Sequence, residues 1–487
     1  MRAHPPREPG EGEEVTRRVG RPSALAVVAV VAPLLTVGAA LLTDTRVGPD
    51  GPGDRAPEEV ALTSATLVCP TGQGGGVLVA SDADPDVAGG SEGRVTALVG
   101  KEEREVELVP GAATRLDDAD EVAGSGSSAP GLVAQRYGGP GLRAVDCPAT
   151  SSDQWFTGVG AGAEHRSVLE LHNPDEGPAT ATITVLGQSG PVGAGGELRG
   201  VSVAGGATTR IELGSAIPKR EELTLRVTTD RGRLAATVID SSVPVGRGET
   251  TKEYLAGQRE PATSQLLLGL PAHVEEPAVV VANTSDSAAR VSLRLVTAES
   301  TFAPTGLEEV LVDPQSVRRF SLRQVLGSDV AEGVLGIEVV SSQPTTASFR
   351  GRVDGDLLTV VPQGPVVTAT LVPVPLPGAR LVLGGAEALG TVTVLALDER
   401  GREVDERVVE VGPDLAVEVP VPDGATLLRV VPRGTAVQGV LRLRSGAGAA
   451  VVGLRELVRV GLVPDVRPGL VVPGQPRQPD QSGSSGE

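Results

Sequence analysis

The most regular feature of the chain is an alternation of apolar and polar residues with a period of two. Ala181, Ile183 and Val185 alternate with threonines, and residues 223–228 (LTLRVT) repeat the pattern. Side chains of a β-strand point alternately to opposite faces, so this pattern predicts strands with one face in a core. Apolar residues at helical spacing are scarce, with one candidate helical turn near Ser321–Leu326. The sequence therefore predicts an all-β protein.

A short motif that occurs four times indicates that the strands repeat. Each copy places a turn-prone pair between two extended stretches, at residues 108–116 (LVPGAATRL), 203–211 (VAGGATTRI), 312–320 (VDPQSVRRF) and 411–419 (VGPDLAVEV). Proline presets the backbone angle φ of the first central turn position, and glycine tolerates the second. Successive copies lie roughly 100 residues apart, the length of one immunoglobulin-like sandwich. We predict tandem immunoglobulin-like β-sandwich modules over residues 61–150, 151–257, 258–357 and 358–466.

An uncharged apolar segment precedes these modules. Residues 23–42 (SALAVVAVVAPLLTVGAALL) carry no charge, and a helix of about 20 residues spans roughly 30 Å, the thickness of the hydrocarbon core of a bilayer. Arginines come shortly before the segment and aspartates after it. The positive-inside bias therefore predicts a cytoplasmic N-terminus over residues 1–22, a transmembrane helix (a signal anchor) over 23–43 and an extracytoplasmic remainder. A cleavable signal peptide is the alternative, and it exports the same modules.

Two further segments lack the pattern of a folded module. Residues 44–60 are rich in proline, glycine and charge, which is typical of a linker. Residues 467–487 end in a polar stretch without core-forming side chains, which predicts a disordered tail.

The chain has two cysteines, Cys69 and Cys147. Two such cysteines are most often buried thiols in a reducing cytosol, whereas a single pair outside the membrane is usually a disulfide. Because the topology predicts export, we expect the disulfide in the first module. A disulfide that closes the long loop between Cys69 and Cys147 stabilises the folded state by roughly 4 to 5 kcal/mol in the chain-entropy model.

Charge and aromatic content narrow the possible partners. The net charge of −19 disfavours nucleic acid, whose phosphates need cationic groups. Aromatic residues make up only 1% of the chain, so the adjacent pair Trp155 and Phe156 stands out. We expect this pair to fill an interface between modules; a binding platform is the alternative.

One cluster of side chains suggests metal chemistry. Glu164, His165, His172 and Asp175 lie close together in the sequence, and histidine with carboxylate is a zinc-binding combination. The two histidines are an odd number of residues apart, so on one β-strand they would face opposite sides. The sequence also lacks a Gly-x-Ser-x-Gly nucleophile motif. We therefore predict no catalytic, metal-binding or cofactor-binding residues, and structural roles for the histidines.

One stretch resembles a known family. Residues 155–187 (WFTGVGAGAEHRSVLELHNPDEGPATATITVLG), with Asp146-Cys147-Pro148 before them, are similar to an actinobacterial family of membrane-anchored exported proteins that is classed as a domain of unknown function. The resemblance implies an envelope protein with one transmembrane helix, and it transfers no catalytic or ligand-binding residues. It also suggests a link to envelope polysaccharide machinery.

These observations lead to one functional hypothesis and two alternatives. The hypothesis is a non-catalytic, membrane-anchored extracytoplasmic scaffold or accessory protein of the cell envelope, whose modules form a rod that projects from the membrane towards a partner protein or polysaccharide machinery. The alternatives are a glycan- or ligand-binding module and an envelope hydrolase.

Overall fold

The computed structural model describes residues 58–463, apart from residues 73, 83–92, 194, 219, 221, 244–248, 259, 306, 308, 329–330 and 447. The predicted transmembrane helix at 23–43, the cytoplasmic segment 1–22, most of the linker 44–60 and the tail 467–487 lie outside the described residues. Within the described part of the chain, no helix is long and apolar enough to cross a membrane. Residues 59–461 form one compact body.

The body is built from strands that fall into four consecutive groups. After the short strand β1 (Glu58–Ala61), the first group consists of β2 (Ser64–Val68), β3 (Gly76–Ser81), β4 (Arg94–Val99), β5 (Glu102–Val106), β6 (Thr114–Leu116), β7 (Glu121–Ser125), a 3-10 turn (Gly126–Ser128), β8 (Leu132–Tyr137) and β9 (Ala144–Asp146).

The second group adds a short extra strand and one helical turn. It consists of β10 (Asp153–Val159), β11 (His165–Asn173), β12 (Ala179–Gly187), β13 (Gly190–Pro191), β14 (Val201–Val203), β15 (Ala207–Glu212), α1 (Leu213–Ala216), β16 (Leu223–Arg231), β17 (Ala235–Ser242) and β18 (Thr251–Leu255).

The third and fourth groups follow the same plan. The third consists of β19 (Ala262–Leu268), β20 (Glu275–Asn283), β21 (Ala289–Val296), β22 (Thr301–Phe302), β23 (Val310–Val312), β24 (Val317–Ser321), α2 (Arg323–Leu326), β25 (Gly336–Val353) and β26 (Asp356–Val360). The fourth consists of β27 (Thr370–Pro373), β28 (Arg380–Gly384), β29 (Gly390–Leu397), β30 (Glu403–Val411), β31 (Ala416–Pro420), β32 (Leu427–Arg433), β33 (Gln438–Ser445) and β34 (Gly448–Gly453), and β35 (Val460–Val463) ends the described chain.

The four groups share one strand order, and the first, second and fourth are each a pair of antiparallel sheets. In the first group the sheets run β2-β7-β4-β5 and β6-β3-β8-β9, and in the fourth β27-β32-β29-β30 and β31-β28-β33-β34. Counted by position in the group, the orders are 1-6-3-4 and 5-2-7-8. The all-β prediction is confirmed, with sheets arranged as in β-sandwiches. The first strand pairs with the sixth, which differs from the A-B-E-D order of immunoglobulin constant domains.

The third group varies this plan at one point. In the second group, as in the first and fourth, positions six and seven are separate strands, β16 and β17, with a turn at Gly232 between them. In the third, the 18-residue strand β25 fills both positions and joins the two layers into one eight-stranded sheet.

The repeated motif of the sequence marks one place in all four groups. Gly111, Gly206, Gln315 and Asp414 have φ angles of 73°, 62°, 48° and 61°, and each comes shortly before the fifth strand of its group. This left-handed conformation is easy for glycine and tolerable for polar residues at tight turns. The predicted correspondence of the four turns is therefore confirmed.

A second repeated feature is an asparagine at the end of the second strand. Asn173 in the second group and Asn283 in the third are fully buried. The Nδ2 of each donates a hydrogen bond of 2.7 Å to a carbonyl four residues ahead, at Gly177 and Ser287. The Oδ1 accepts from the backbone N–H two residues ahead, at 3.0 and 3.1 Å. Each asparagine thus holds the turn into the third strand.

The four groups close into a ring. The eighth strands meet at its centre, where β18 contacts β26 and β9, and β34 contacts the same two strands. At three of the four interfaces of the ring, the first strand of one group packs on the second and seventh strands of the next. Thus β10 lies on β20 and β25, β19 lies on β28 and β33, and β27 of the fourth group lies on β3 and β8 of the first. The expected projecting rod is therefore wrong.

The physical reason for closure is that three of the four second strands, β3, β20 and β28, are apolar on both faces. In β20 every residue from Pro277 to Asn283 is buried, and β28 and β3 are nearly as completely covered. One face of each strand points into its own sandwich, and the other is covered by the neighbouring group. Leaving such strands in a rod would expose a broad apolar surface to water, which is unfavourable by roughly 25 cal/mol per Å².

The ring closes where the first and fourth groups contact each other. Ala80 in β3 packs in one cluster with Leu371 of β27 and Leu427 of β32. The Asp82 carboxylate forms ion pairs with Arg459 and with Arg429, the second at 3.5 Å. Close by, the turn at Gly401 contacts the turn at Pro110, where a Cβ built on Gly401 would lie 2.1 Å from the Pro110 carbonyl oxygen.

This contact allows a test of ring closure. Gly401→Ala should lower the free energy of unfolding by about 1 to 3 kcal/mol more than Gly424→Ala. Both glycines belong to the fourth group and have positive φ (72° and 86°), but Gly424 has open space where its Cβ would lie. The backbone strain is therefore similar, and the extra loss measures the clash with the first group. Equal losses in urea denaturation would show that the two groups do not touch.

Candidate functional site

A cavity of about 460 Å³ lies where the chain passes from one group to the next. Ala149, Gln258, Gln363 and Glu456 each stand three residues after the end of an eighth strand, and all four line this cavity. They occupy the same place in the four groups. The cavity is therefore a product of the ring, because a single group would supply only one of its walls.

Backbone pairing fixes these residues. After the eighth strands of the first and second groups the chain returns to the first strand of the same group: Ala149 pairs with Leu67, and Gln258 exchanges two hydrogen bonds with Trp155, at 3.1 and 2.8 Å. In the fourth group the N–H of Leu457 donates to Ala369 at 3.0 Å, and the Glu456 carboxylate accepts from the N–H of Val367 at 2.6 Å. The cavity walls are thus held by regular main-chain contacts.

Five glutamines line the cavity: Gln154, Gln258, Gln265, Gln363 and Gln438. Gln258 is only 5% exposed, yet neither atom of its amide has a partner within the described chain. The Oε1 atoms of Gln265 and Gln438 are likewise buried and unpaired. Buried polar atoms nearly always have partners, because desolvation without a hydrogen bond is costly. These amide atoms are therefore buried beside the cavity, out of reach of a water molecule.

Charged groups surround the glutamines. Arg455 forms an ion pair with Asp146, and Arg226 donates to Asp153. Burial raises the pKa of the Asp146 carboxyl, and the Arg455 charge offsets part of this rise. Glu260 and Glu456 also line the cavity. Since Asp153, Glu260 and Glu456 outnumber Arg455 in the lining, the cavity favours a neutral or cationic ligand over an anion.

The four residues of the suggested zinc cluster do not converge. His165 and His172 lie at opposite ends of β11 and pair with different carboxylates, while Glu164 is exposed and Asp175 forms an ion pair with Arg233. Arg233 holds the pKa of Asp175 below its ordinary value. Among the described residues, no group of three or more His, Cys, Asp or Glu side chains could hold a metal ion.

His165 belongs to a buried network between the second and third groups. Its Nε2 lies 2.8 Å from Asp240 Oδ1, Ser167 Oγ donates to the same oxygen at 2.7 Å, and Arg350 Nε lies 3.2 Å from Oδ2. These are the residue types of a hydrolase triad, but serine and histidine both bind the aspartate, so the histidine cannot activate the serine. Burial raises the pKa of Asp240, but His165 and Arg350 lower it further than burial raises it.

His172 joins the first and second groups. Its Nε2 lies 2.7 Å from Glu121 Oε1 of β7, and its Nδ1 lies 2.8 Å from Thr208. Beside it, the N–H of Thr71 donates to Glu170 at 3.0 Å. The interface between these two groups therefore depends on buried polar contacts.

The other residues that the sequence singled out lie in the hydrophobic cores of their groups or at the contact between two groups. Cys69 and Cys147 form the predicted disulfide, with Cα atoms 4.2 Å apart, and both are buried in the core of the first group. Phe156 is fully buried in the core of the second group. Trp155 points to the other face of β10 and packs against Val280 of the third group. Arg226 lies over its ring at 5.3 Å from the ring centroid.

Comparison with known families agrees with the repeated architecture. The sequence model of DUF5719, a family of unknown function, matches residues 110–422. The chain belongs to the DUF5719 family. No curated protein matches it. The match includes the whole of the second and third groups of this DUF5719 chain, with the glutamines Gln258, Gln265 and Gln363. It excludes Gln438, Glu456 and Cys69.

The DUF5719 chain also buries two carboxyls where the eighth strands meet. Glu253 of β18 and Asp356 of β26 are 2% and 4% exposed. Asp356 accepts a hydrogen bond from the N–H of Leu142 at 2.9 Å, while Glu253 Oε2 has no partner in the described chain. Burial raises the pKa of Glu253 well above its ordinary value, and the nearby Asp356 adds to the rise while Arg143 opposes it. A protonated Glu253 is therefore favoured at the centre of the ring.

The role of His165 can be tested by substitution. His165→Ala removes a hydrogen-bond partner from the buried Asp240 and should lower the free energy of unfolding by about 1 to 3 kcal/mol. The exposed His273 provides the control, because His273→Ala should change stability by less than about 0.5 kcal/mol. Both are measured by urea denaturation. A zinc-dependent rise in Tm that His165→Ala abolishes would contradict this structural role.

Glu253 should make stability depend on pH. Because its folded-state pKa is raised, its contribution is complete below the unfolded pKa near 4.5 and is lost as the pH rises through the folded pKa. Glu253→Gln stays neutral with nearly the same shape, so it should raise Tm at about pH 8 and leave it unchanged near pH 4.5. Glu387→Gln, on the surface, should show no such trend. A Tm lowered at high pH would mean that the charged carboxylate stabilises the ring.

Proposed function

We propose that this DUF5719 chain is a non-catalytic, membrane-anchored extracytoplasmic protein of the cell envelope that serves as a scaffold or accessory subunit. The observation that carries the proposal is the closed ring, in which each group contacts both neighbours and the eighth strands meet at the centre. Such a body keeps its surface in a fixed geometry, which suits a protein that acts by contact.

Two further features support the cellular location. The uncharged segment 23–43, preceded by arginines, provides the anchor and the orientation. The buried Cys69–Cys147 disulfide fits an oxidising compartment, where such bonds persist. The partner that we propose is an envelope protein or the polysaccharide machinery, since a chain with a net charge of −19 is unsuited to nucleic acid.

The proposed role as a contact protein also agrees with how the ionisable side chains are used. His165 and Asp240 link the second and third groups, and His172 and Glu121 link the first and second. Groups that would be candidates for acid–base chemistry are thus engaged in holding the ring together.

Topology can be tested by cysteine labelling in intact cells. Leu389 is 83% exposed, so Leu389→Cys should react with a membrane-impermeant maleimide, whereas Ala3→Cys should react only after lysis. The unchanged chain should react only after denaturation and reduction, because its own cysteines are buried in a disulfide.

The two cysteine variants, at Leu389 and Ala3, distinguish the possible topologies. Labelling of Ala3→Cys in intact cells with protection of Leu389→Cys would reverse the orientation. Protection of both until lysis, together with free native thiols, would place the ring in the cytoplasm and overturn the proposal. Recovery of the chain in the soluble secreted fraction would instead show that the N-terminal segment is cleaved.

A further inference from the structure

A second cavity, of about 380 Å³, lies between the first and fourth groups. The first group lines it with β2 and the start of β8, and the fourth group lines it with β27 and the chain that follows β34. We call it the closure cavity, because it lies where the ring closes. It borders the cavity of the five glutamines, with which it shares Arg455 and Glu456.

The side chains around the closure cavity are mostly apolar, and several of them keep surface that a water molecule can reach. Leu62 and Leu67 are only half-buried, and Val458 is 63% exposed. Deeper in the wall, Leu132 belongs to the core of the first group, and Leu371 belongs to the cluster that joins the first and fourth groups. The cavity therefore offers accessible apolar surface from both groups.

The charged side chains at the closure cavity are already engaged. Their contacts within the described structure are the pairs Arg455–Asp146 and Arg233–Asp175, and the hydrogen bond from the N–H of Val367 to Glu456. A charged ligand would have to break one of these contacts, because a charge without a partner is costly to bury. Hydrocarbon needs no such partner, and its removal from water is favourable in itself. The lining thus favours an apolar ligand.

The shape of the closure cavity follows two extended stretches of chain. Leu62 and residues 64–67 line one side, and residues 452–453 and 455–458 line another. At about 3.3 Å per residue, residues 62–67 span up to about 17 Å. A volume of about 380 Å³ along such a length forms a narrow channel. A linear hydrocarbon chain fits this channel, whereas a compact ring system is too wide for it.

The closure cavity opens beside further apolar surface. Val458 lines the cavity and is exposed, and Val60 in β1 and Val460 in β35 are 42% and 45% exposed. The N–H of Leu62 donates to the carbonyl of Arg459 at 3.0 Å, which holds the two chain segments side by side at this opening. Contiguous exposed apolar side chains mark sites of binding. A hydrocarbon chain can enter along these valines while its polar end stays in water.

We propose that the closure cavity binds a single linear hydrocarbon chain, the acyl chain of a lipid or fatty acid, with its polar end outside at Val458. The proposal goes beyond the scaffold role and does not rest on membrane anchoring. The bound chain contacts the first and fourth groups together, so it stabilises the closed ring.

The test is binding to the purified full chain in CHAPS, a steroid detergent without a long alkyl chain. Dodecanoate and dodecanol carry the same chain with a charged and a neutral end, farnesol represents a prenyl chain, and cholesteryl hemisuccinate represents a compact ring system. Native mass spectrometry gives the stoichiometry, and calorimetry gives the Kd.

We expect one dodecanoate or one dodecanol per protein chain. Their Kd values should differ by less than about tenfold, because the polar end lies outside a site whose walls are apolar. Binding of farnesol alone, of cholesteryl hemisuccinate alone, or of no probe would overturn the proposal.

A variant that fills the channel places the ligand. Ala65 lines the closure cavity and is half-buried, so Ala65→Phe should occupy part of the space and weaken dodecanoate binding by about tenfold or more. Its Tm should equal or exceed that of Ala388→Phe, the matched change at an exposed position. Unchanged binding in Ala65→Phe would place the ligand elsewhere, for example on residues 23–43. A clearly lower Tm would show that the space is absent. Either result would overturn the proposal.

A second variant changes polarity without adding bulk. Leu62→Asn puts an amide beside the channel and should also weaken dodecanoate binding by about tenfold, because the amide loses water to a hydrocarbon neighbour. Val460→Asn is the control, since Val460 is exposed and lies outside the lining. Equal Kd values for the two variants would contradict the proposal. The labelling in cells tests anchoring separately, so either proposal can fail alone.

Discussion

The structure depends on one packing contact that recurs at three of the four interfaces of the ring, the first strand of a group against the outer face of the second sheet of the next. Trp155 on β10 makes it against Val280, and Leu266 on β19 makes the equivalent contact against Val382 and Val440. Burial of one large apolar side chain in such a place is worth about 2 to 5 kcal/mol by comparison with truncation in cores. The position of the eighth strands, the buried carboxyls and the cavity all follow once this contact is made.

Local features of the fold could be predicted from sequence because they depend on neighbours along the chain. Alternation with a period of two identified strands, proline and glycine marked the repeated turns, and export suggested the disulfide. Trp155 and Phe156 were expected together at an interface between modules; Trp155 packs against the third group, and Phe156 lies in the core of the second. The strand order and the ring could not be predicted, since they depend on contacts between residues hundreds of positions apart.

Two signals in the sequence could have revealed more. The runs 279–282 (VVVA) and 381–383 (LVL) are continuously apolar, which is the pattern of strands buried on both faces and thus argues against a rod. Asn173 and Asn283 end equivalent strands and support the repeat better than the turn motif alone. The glutamines of the cavity gave no such signal, because glutamine on a linker is usually a solvated side chain.

The ring also sets an order of events in folding. β3 of the first group is covered by β27, which is synthesised only after two further groups. Contacts of such sequence separation form late, because the entropy of closing the loop must be met before they contribute. The apolar outer face around Ala80 therefore stays open to water until the fourth group has folded, and exposed strands of this kind invite association between chains. The chain is therefore most prone to aggregation after its first group has folded and before its fourth group covers β3.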